Sequence, residues 1–419
     1  MLPFGASQNP LSLGSFWEKP PKKQAEKRLI KNMDNLFPND PILPWSTLLS
    51  FTKHTILPSP IPRHPTSYWF LARNAIYQGL KALQLQPGDE VLVPAYHCNT
   101  LVEPIIQFGL NAVFYNIHRD CHADFEHLKS QINTKTKAIV MIHYFGDPQT
   151  MAPYLELTKN HGLYLIEDCA HVLVGEGDGI PLGSTGDISI FSWRKFFPIQ
   201  DGGLLVINNP DITAELLEEN SNYLTQTKVA INLLEQLLAD HFPSSRKLTL
   251  RAFHMLSSAY KAIIRLGKPS HQNVPASCDS PSFHIDTVNQ GMSKISKYLL
   301  TRINLTSIIE KRHFNTTYLL DTIHKGTLPG VIPFFKEFPA GICPWAVPIL
   351  VPGRTNFHIL LRSRGVPAFT WGGVIHPSLD LHNYPDGKFL YDNLILLPIH
   401  QGMNENDMNY MITTMKDLL

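Results

Sequence analysis

Three short clusters in this chain carry side chains able to do chemistry, and each follows a run of apolar residues. The first is Ile166-Glu167-Asp168-Cys169-Ala170-His171. An apolar strand running into Glu-Asp brings a carboxylate to the edge of a sheet, where buried charge is costly without a partner. Asp168 then either caps a following helix or awaits a cation. The second cluster is Gly183-Ser184-Thr185-Gly186-Asp187, followed by Phe191-Ser192-Trp193-Arg194-Lys195-Phe196-Phe197. A lone lysine is usually a solvated surface residue. Lys195, however, stands among Trp193, Phe196 and Phe197, and apolar surroundings depress an amine's pKa, as a lysine nucleophile requires. The third is Gln200-Asp201-Gly202-Gly203. Paired glycines let backbone approach closely, either to a ligand or simply to reverse the chain.

The elements that must hold these clusters alternate. Tyr68 to Leu83 is apolar at helical spacing and ends in the turn signal Gln86-Pro87-Gly88-Asp89. Strand-like runs at Val91–Tyr96, Ala112–Ile117, Ala138–Tyr144, Leu163–Ile166, Asp187–Phe191 and Gly203–Ile207 follow, with helices expected at Asp124–Ile132 and Met151–Asn160. Buried strands separated by crossover helices imply an α/β fold with a mostly parallel sheet. Ligands in such sheets bind at the carboxyl ends of the strands, where the clusters fall. The division expected is a proline- and aromatic-rich arm (1–60), a large α/β domain (61–210), a helical insertion (211–290) and a small C-terminal domain (291–419). Leu233, Leu234, Leu237 and Leu238 suggest one apolar helix face in 211–268, with basic residues at 246–265 on a solvated side. Residues 269–281 read as a loop, and a long helix is expected over 292–323.

Composition narrows the partners. With 36 basic and 35 acidic residues the net charge is +1, so nothing electrostatic calls for nucleic acid or an anionic membrane. Cys98, Cys121, Cys169, Cys278 and Cys343 are scattered, with no CxxC pair or Cys/His cluster at zinc spacing, so no metal is expected and free thiols in a reducing compartment are. The first forty residues lack the apolar core of a signal peptide, and no run reaches the roughly 18 apolar residues of a membrane span. A cytoplasmic enzyme is the expectation. A nucleotide-dehydrogenase reading fails because Gly175, Gly177 and Gly179 do not follow the first strand.

Taken in order, the clusters resemble the DegT/DnrJ/StrS family of pyridoxal phosphate (PLP)-dependent aminotransferases, best known for sugar substrates. The resemblance runs from about Phe70 to Gly203. It includes Gln86-Pro87-Gly88-Asp89-Glu90-Val91, Thr136-Lys137-Ala138-Ile139, His143-Tyr144-Phe145-Gly146, the Ile-Glu-Asp-x-Ala segment at 166–170, the Gly-Asp-Ile…Phe-Ser block at 186–192, and Lys195 standing seven and eight residues before Gly202-Gly203. It weakens through Met292-Ser293 and Lys311-Arg312 to Leu397-Pro398-Ile399-His400. The resemblance implies the type I PLP-dependent aminotransferase fold, a mostly parallel sheet flanked by helices with a smaller C-terminal α/β domain, in a homodimer.

It also implies roles. Lys195 is the Schiff-base lysine and proton carrier, and Asp168 pairs with the cofactor's pyridine nitrogen. His171 meets the phenolic oxygen. Ser192 joins the phosphate cradle with the helix start at 72–75, where Arg73 and Asn74 stand. Asp201 takes the family's Glu position near the substrate. The implied substrates are an amino-acid donor such as glutamate and a ketone acceptor such as a nucleotide-linked keto sugar.

Some positions depart from the pattern. The family's Ser-Gly-Thr appears as Leu71-Ala72-Arg73, where Arg73 either contacts phosphate or points to solvent. The aromatic residue over the cofactor ring falls on Cys98, leaving Tyr96 or His97 to replace it, with His97 preferred. The step from Ser192 to Lys195 is about two residues short. Sugar dehydration, or ligand binding without catalysis, are the rival readings. The dehydrating relatives replace the lysine, whereas Lys195 is present.

Overall fold

The apolar runs pair as strands of one twisted sheet because each is buried on both faces, leaving backbone pairing as the way to satisfy their polar groups. The computed structural model describes residues 40–50, 64–241, 283–338, 341–372 and 375–419. Most of the expected arm, the basic stretch at 246–265 and the loop at 269–281 lie outside them. The seven-stranded sheet contains β1 (Thr66–Trp69), β2 (Glu90–Pro94), β3 (Asn111–Tyr115), β4 (Thr136–Ile142), β5 (Tyr164–Cys169), β6 (Ile188–Ser192) and β7 (Gly203–Ile207), in the order β1-β7-β6-β5-β4-β2-β3. Strands β2 to β6 pair in parallel, and β7 and β1 add antiparallel edges. The mostly parallel α/β sheet read from the sequence is the one found.

Helix α1 (Ala72–Ala82) lies across β6 and β7, with Gly79 at its contact face. A Cβ at Gly79 would stand 2.6 Å from Ile188 Cδ1, so glycine permits this approach. Helices α2 (Asn99–Gln107), α3 (Phe125–Ser130) and α4 (Met151–His161) complete the crossovers. The helix expected from Tyr68 begins only at Ala72. Thr66–Trp69 is the edge strand instead, because Trp69 pairs with Gly203 and its buried ring belongs to the sheet's core.

Residues 211–222 hold no helix, and α5 (Tyr223–His241) follows. Leu233 and Leu237 are buried there, but Leu234 is exposed, so the inward stripe is narrower than the leucine run suggested. The long helix expected over 292–323 is two helices, α6 (Lys294–Leu300) and α7 (Leu305–His324). Asn304 restarts the chain by accepting the Ser307 N–H at 3.1 Å, an N-cap that breaks the run.

The C-terminal part has its own core around Leu319, Val347, Ile349, Phe357, Leu397 and Met411. Its three-stranded antiparallel sheet comprises β8 (Ile332–Pro333), β9 (Ala346–Leu350) and β10 (Leu394–Pro398). Helices α8 (Phe357–Ser363), α9 (Pro385–Asn393) and α10 (Glu405–Leu418) accompany it. Among the described residues no helix is long and apolar enough to cross a membrane.

Candidate active site

The carboxyl end of β5 presents two adjacent carboxylates with opposite fates. Glu167 is buried and saturated. Its oxygens accept N–H groups from Gly183, Thr185 (3.0 Å) and Gly186 (2.8 Å) and the His143 Nε2 at 2.9 Å. His143 is itself used up, since its Nδ1 accepts the Gln149 N–H at 3.1 Å. Burial alone would raise the Glu167 pKa, but the His143 bond and the loop N–H groups outweigh it and hold the carboxylate low. Cys169 brings a third ligand-type atom, the three lying within 4.8 Å of one another. With these bonds already made, the group is a clamp that fixes the 183–186 loop against β5.

Asp168, one residue on, is also buried but, among the described residues, accepts only the Ala170 N–H at 2.8 Å. This is a local turn and not the helix cap weighed from the sequence, because no helix follows. Burial raises its pKa, partly offset by the Ala170 N–H and the nearby Lys195. The side chain is enclosed beside a cation and otherwise little engaged.

Lys195 ends a short 3-10 turn, Trp193–Lys195, that leaves β6 directly. Phe196 and Phe197 each donate N–H back to the Trp193 carbonyl at 2.9 Å, and Trp193 donates to the Gly202 carbonyl at 2.9 Å. These bonds, with the buried rings of Trp193 and Phe196, make the turn part of the core. The amine faces Trp345 at the entrance to β9, 4.6 Å from the ring centroid. Burial lowers its pKa to about 8, with Arg194 adding to the effect while Cys98 and Asp168 oppose it.

His171 completes the group. Its ring stacks on Trp345 at 4.1 Å and 17°. Its Nδ1 accepts the Phe145 N–H at 3.2 Å, so the neutral ring carries its proton on Nε2. Burial, and then the Lys195 charge, hold the imidazole well below its ordinary pKa. Nε2 is buried and has no hydrogen-bond partner among the described residues, which leaves a donor without an acceptor there.

Other expected residues are placed differently. Ser192 closes β6 and pairs with Gly203 across the β6–β7 register. A Cβ at Gly203 would stand 2.2 Å from the Leu71 carbonyl carbon, so this glycine lets β7 touch the chain just before α1. The close approach is thus to the helix start. Arg73 is buried in the first turn of α1. Asn74 turns to the neighbouring loop, its amide donating to the Thr287 carbonyl at 2.6 Å, and not toward Lys195.

His97 was preferred as the ring-stacking residue, but its imidazole lies flat on Phe114 at 5.2 Å and donates from Nδ1 to the Pro94 carbonyl. Burial lowers its pKa to about 4. Cys98 is the residue of this loop that bears on the Lys195 amine. The aromatic rings at the amine are instead His171 and Trp345. Asp201 is enclosed beneath the start of α6, where Oδ1 accepts the Ser293 N–H at 3.3 Å, and not at an open substrate face. Burial raises it to about 6, against the pull of Ser293, Ser296 and Lys297.

Two residues of this site went unread in the sequence. Trp345 lies 150 positions beyond Lys195 and no local pattern joins them. Arg312 was noted only as part of a weak match, and its contacts are tertiary.

The core of this site coincides with a family pattern. Residues 72–225 match the DegT/DnrJ/EryC1/StrS aminotransferase family, in line with the resemblance read from Phe70 to Gly203. A UDP-N-acetyl-3-dehydro-alpha-D-glucosamine 3-aminotransferase of Acidithiobacillus ferrooxidans is 33% identical over 150 residues, 34% of this chain and 40% of that protein. A GDP-perosamine synthase of Vibrio cholerae is 36% identical over 141 residues, 33% of this chain and 38% of that one. The matched stretch thus spans about two fifths of the length of these curated relatives. Among solved structures, the aminotransferase from Psychrobacter cryohalolentis superposes with a TM-score of 0.57 at 17% identity, covering 84% of this chain and 86% of that one. The 3-amino-5-hydroxybenzoic acid synthase gives 0.58 at 17%, covering 84% and 85%. At such identity the likeness establishes the fold, which is that of the PLP-dependent aminotransferases.

Proposed function

We propose that the chain is a PLP-dependent aminotransferase that moves an amino group from an amino-acid donor, glutamate by preference, to a ketone acceptor. The observation that carries this reading is the buried, unpartnered Nε2–H of His171, standing beside a lysine held near pH 8 and a sparsely bonded carboxylate. A ring with a phenolic oxygen, a basic nitrogen and a carbonyl fits that set of donors and acceptors. PLP supplies, when bound, a carbonyl for the amine and a ring that accepts electrons.

The remaining chemistry belongs to the chain. Lys195 would hold the cofactor's carbonyl carbon through Nζ, which burial, by lowering its pKa to about 8, keeps more readily neutral. The same Nζ, when free, would take and return the proton at the substrate carbon. Asp168 would hold the ring nitrogen and favour a proton there; burial raises its own pKa, and the Ala170 N–H and Lys195 partly offset this. His171 donates from Nε2 and does not gain charge near neutrality, because burial opposes it. The stacked rings of Trp345 and His171 line one side of the amine. Ser192 and the α1 start, with Arg73, are the phosphate side of this reading. The relatives named above support a nucleotide-linked keto sugar as acceptor, and the family resemblance supports a homodimer as the assembly. Cytoplasmic location and free thiols remain part of the proposal.

The test is direct. Protein loaded with PLP should be yellow, lose its visible band when glutamate is added under anaerobic conditions, and regain it with a ketone acceptor. A band that glutamate does not change would leave a binding protein without transamination.

A further inference from the structure

Arg312 lies fully buried on α7, and its guanidinium fans out over main-chain oxygens from two separate segments. One amino group, Nη2, donates to the carbonyls of Lys195 (3.3 Å) and Phe196 (3.4 Å). The other, Nη1, donates to the carbonyls of Pro344 (3.2 Å) and Trp345 (3.0 Å). Nε meets the side-chain oxygen of Gln401 at 3.1 Å, and the Gln401 amide donates at 2.9 Å to the Phe196 carbonyl. The guanidinium also stands 5.1 Å from the Phe196 ring centroid. Among the described residues no carboxylate lies within ion-pair distance of it. A buried cation is usually paired with a carboxylate, because desolvation is otherwise expensive. Here five N–H···O contacts serve instead, and their geometry depends on the planar fork of arginine.

From this arrangement we infer that Arg312, with Gln401, is a positioning residue that holds the Lys195 turn and the Trp345 wall in one fixed register. The turn that ends at Lys195 leaves β6 at once; Trp193 ties its start to Gly202, whereas the carbonyls of Lys195 and Phe196 at its far end are held by Arg312. The Trp345 ring touches the Lys195 amine, and both backbones hang from the same guanidinium. The lysine is thereby aimed by α7 and the entrance to β9 together with the core packing of its own turn. The inference rests on Lys195 being the reacting amine.

Competitive acetylation of the cofactor-free protein tests it, with Lys297 as internal standard and peptide mass spectrometry as readout. The pH midpoint of Lys195 labelling is compared among wild type, R312Q, R312K and Q401A, each checked by circular dichroism and melting. The groups that bear on the amine, Cys98, Asp168, Arg194 and His171, are unaltered in all four. Wild type should titrate near 8. Loss of the brace lets the amine reach water, so R312Q should move the midpoint up by about one unit, a tenfold loss of neutral amine at a given pH below it. R312K should move it less, since one ammonium cannot span both segments, and Q401A least, in the same direction. A folded R312Q with the wild-type midpoint would overturn the inference. If R312Q does not fold, unchanged midpoints in both R312K and Q401A would overturn it equally. The labelling needs no cofactor, so a protein that takes up no PLP yet shows these shifts would defeat the proposed activity and leave the brace standing.

Discussion

Glu167 and Asp168 are neighbours on one strand and both buried, yet one serves the fold and the other is left available. Glu167 accepts bonds from His143 and three loop N–H groups, and these partners keep it ionised. Asp168 accepts one N–H and sits beside Lys195, with burial pushing its pKa up. The difference shows how a site can be told from a scaffold. A buried polar group with all its partners supplied by the chain has finished its work in folding, whereas Asp168 and His171 are left short side by side at the Lys195 amine, and it is this convergence that marks the site. His171 repeats the lesson with a donor in place of an acceptor, one nitrogen filled by Phe145 and the other bare.

Exchanging these groups should separate stability from chemistry. The largest effect is expected at Lys195, where Lys195→Ala should abolish transamination, by at least about 10³-fold for loss of an amine that acts as both nucleophile and proton carrier. Its melting temperature should stay near wild type or rise, since a buried amine is removed. Glu167→Ala should instead cost about 3–5 kcal/mol in denaturant titration, by leaving His143 and the loop N–H groups without their acceptor. Asp168→Asn should change the stability of cofactor-free protein by no more than about 1 kcal/mol and still lose most cofactor-dependent turnover. Equal destabilisation by the Glu167 and Asp168 substitutions would erase the contrast drawn here.

Smaller effects sharpen it. Uptake of PLP requires the neutral amine, so its rate should climb tenfold per unit of pH below about 8 and then level off, as stopped-flow mixing across pH would reveal. At Asp201 the folded carboxyl is raised to about 6 from an ordinary 3.8. The folded state then binds the proton more tightly than the unfolded state, so this group's stabilisation is present below the unfolded value and lost as pH rises through 6. Wild type should therefore be less stable relative to Asp201→Asn at pH 7 than at pH 4, by an amount on the order of 1–3 kcal/mol in denaturant titration. A pH-independent gap between the two stabilities would remove Asp201 from that role.

What could be read in advance follows the range of the interactions. Strands β4 to β7 announce themselves because a buried strand is a short apolar run, and the spacing of Asp168, Lys195 and Gly202-Gly203 is local enough to survive as a pattern. The Gly203 contact with Leu71 explains why that glycine must be where it is. The reading of a helix from Tyr68 fails because an aromatic edge strand running into an amphipathic helix looks like one helical period. The break at Asn304 had a local signal, an Asn three residues before Ser307, but the apolar spacing on both sides masked it. Trp345 and Arg312 had none. Their roles arise when α7 and β9 fold back over the Lys195 turn, and His97 lost its expected place to a ring-on-ring contact with Phe114 that only the sheet edge creates.

The central claim is that Lys195 is the amine that holds PLP. Protein incubated with PLP, reduced with borohydride and digested should carry the cofactor's mass on the peptide containing Lys195, and on no other, with the label gone in Lys195→Ala. Label spread over surface lysines, or the same labelling in Lys195→Ala, would contradict it.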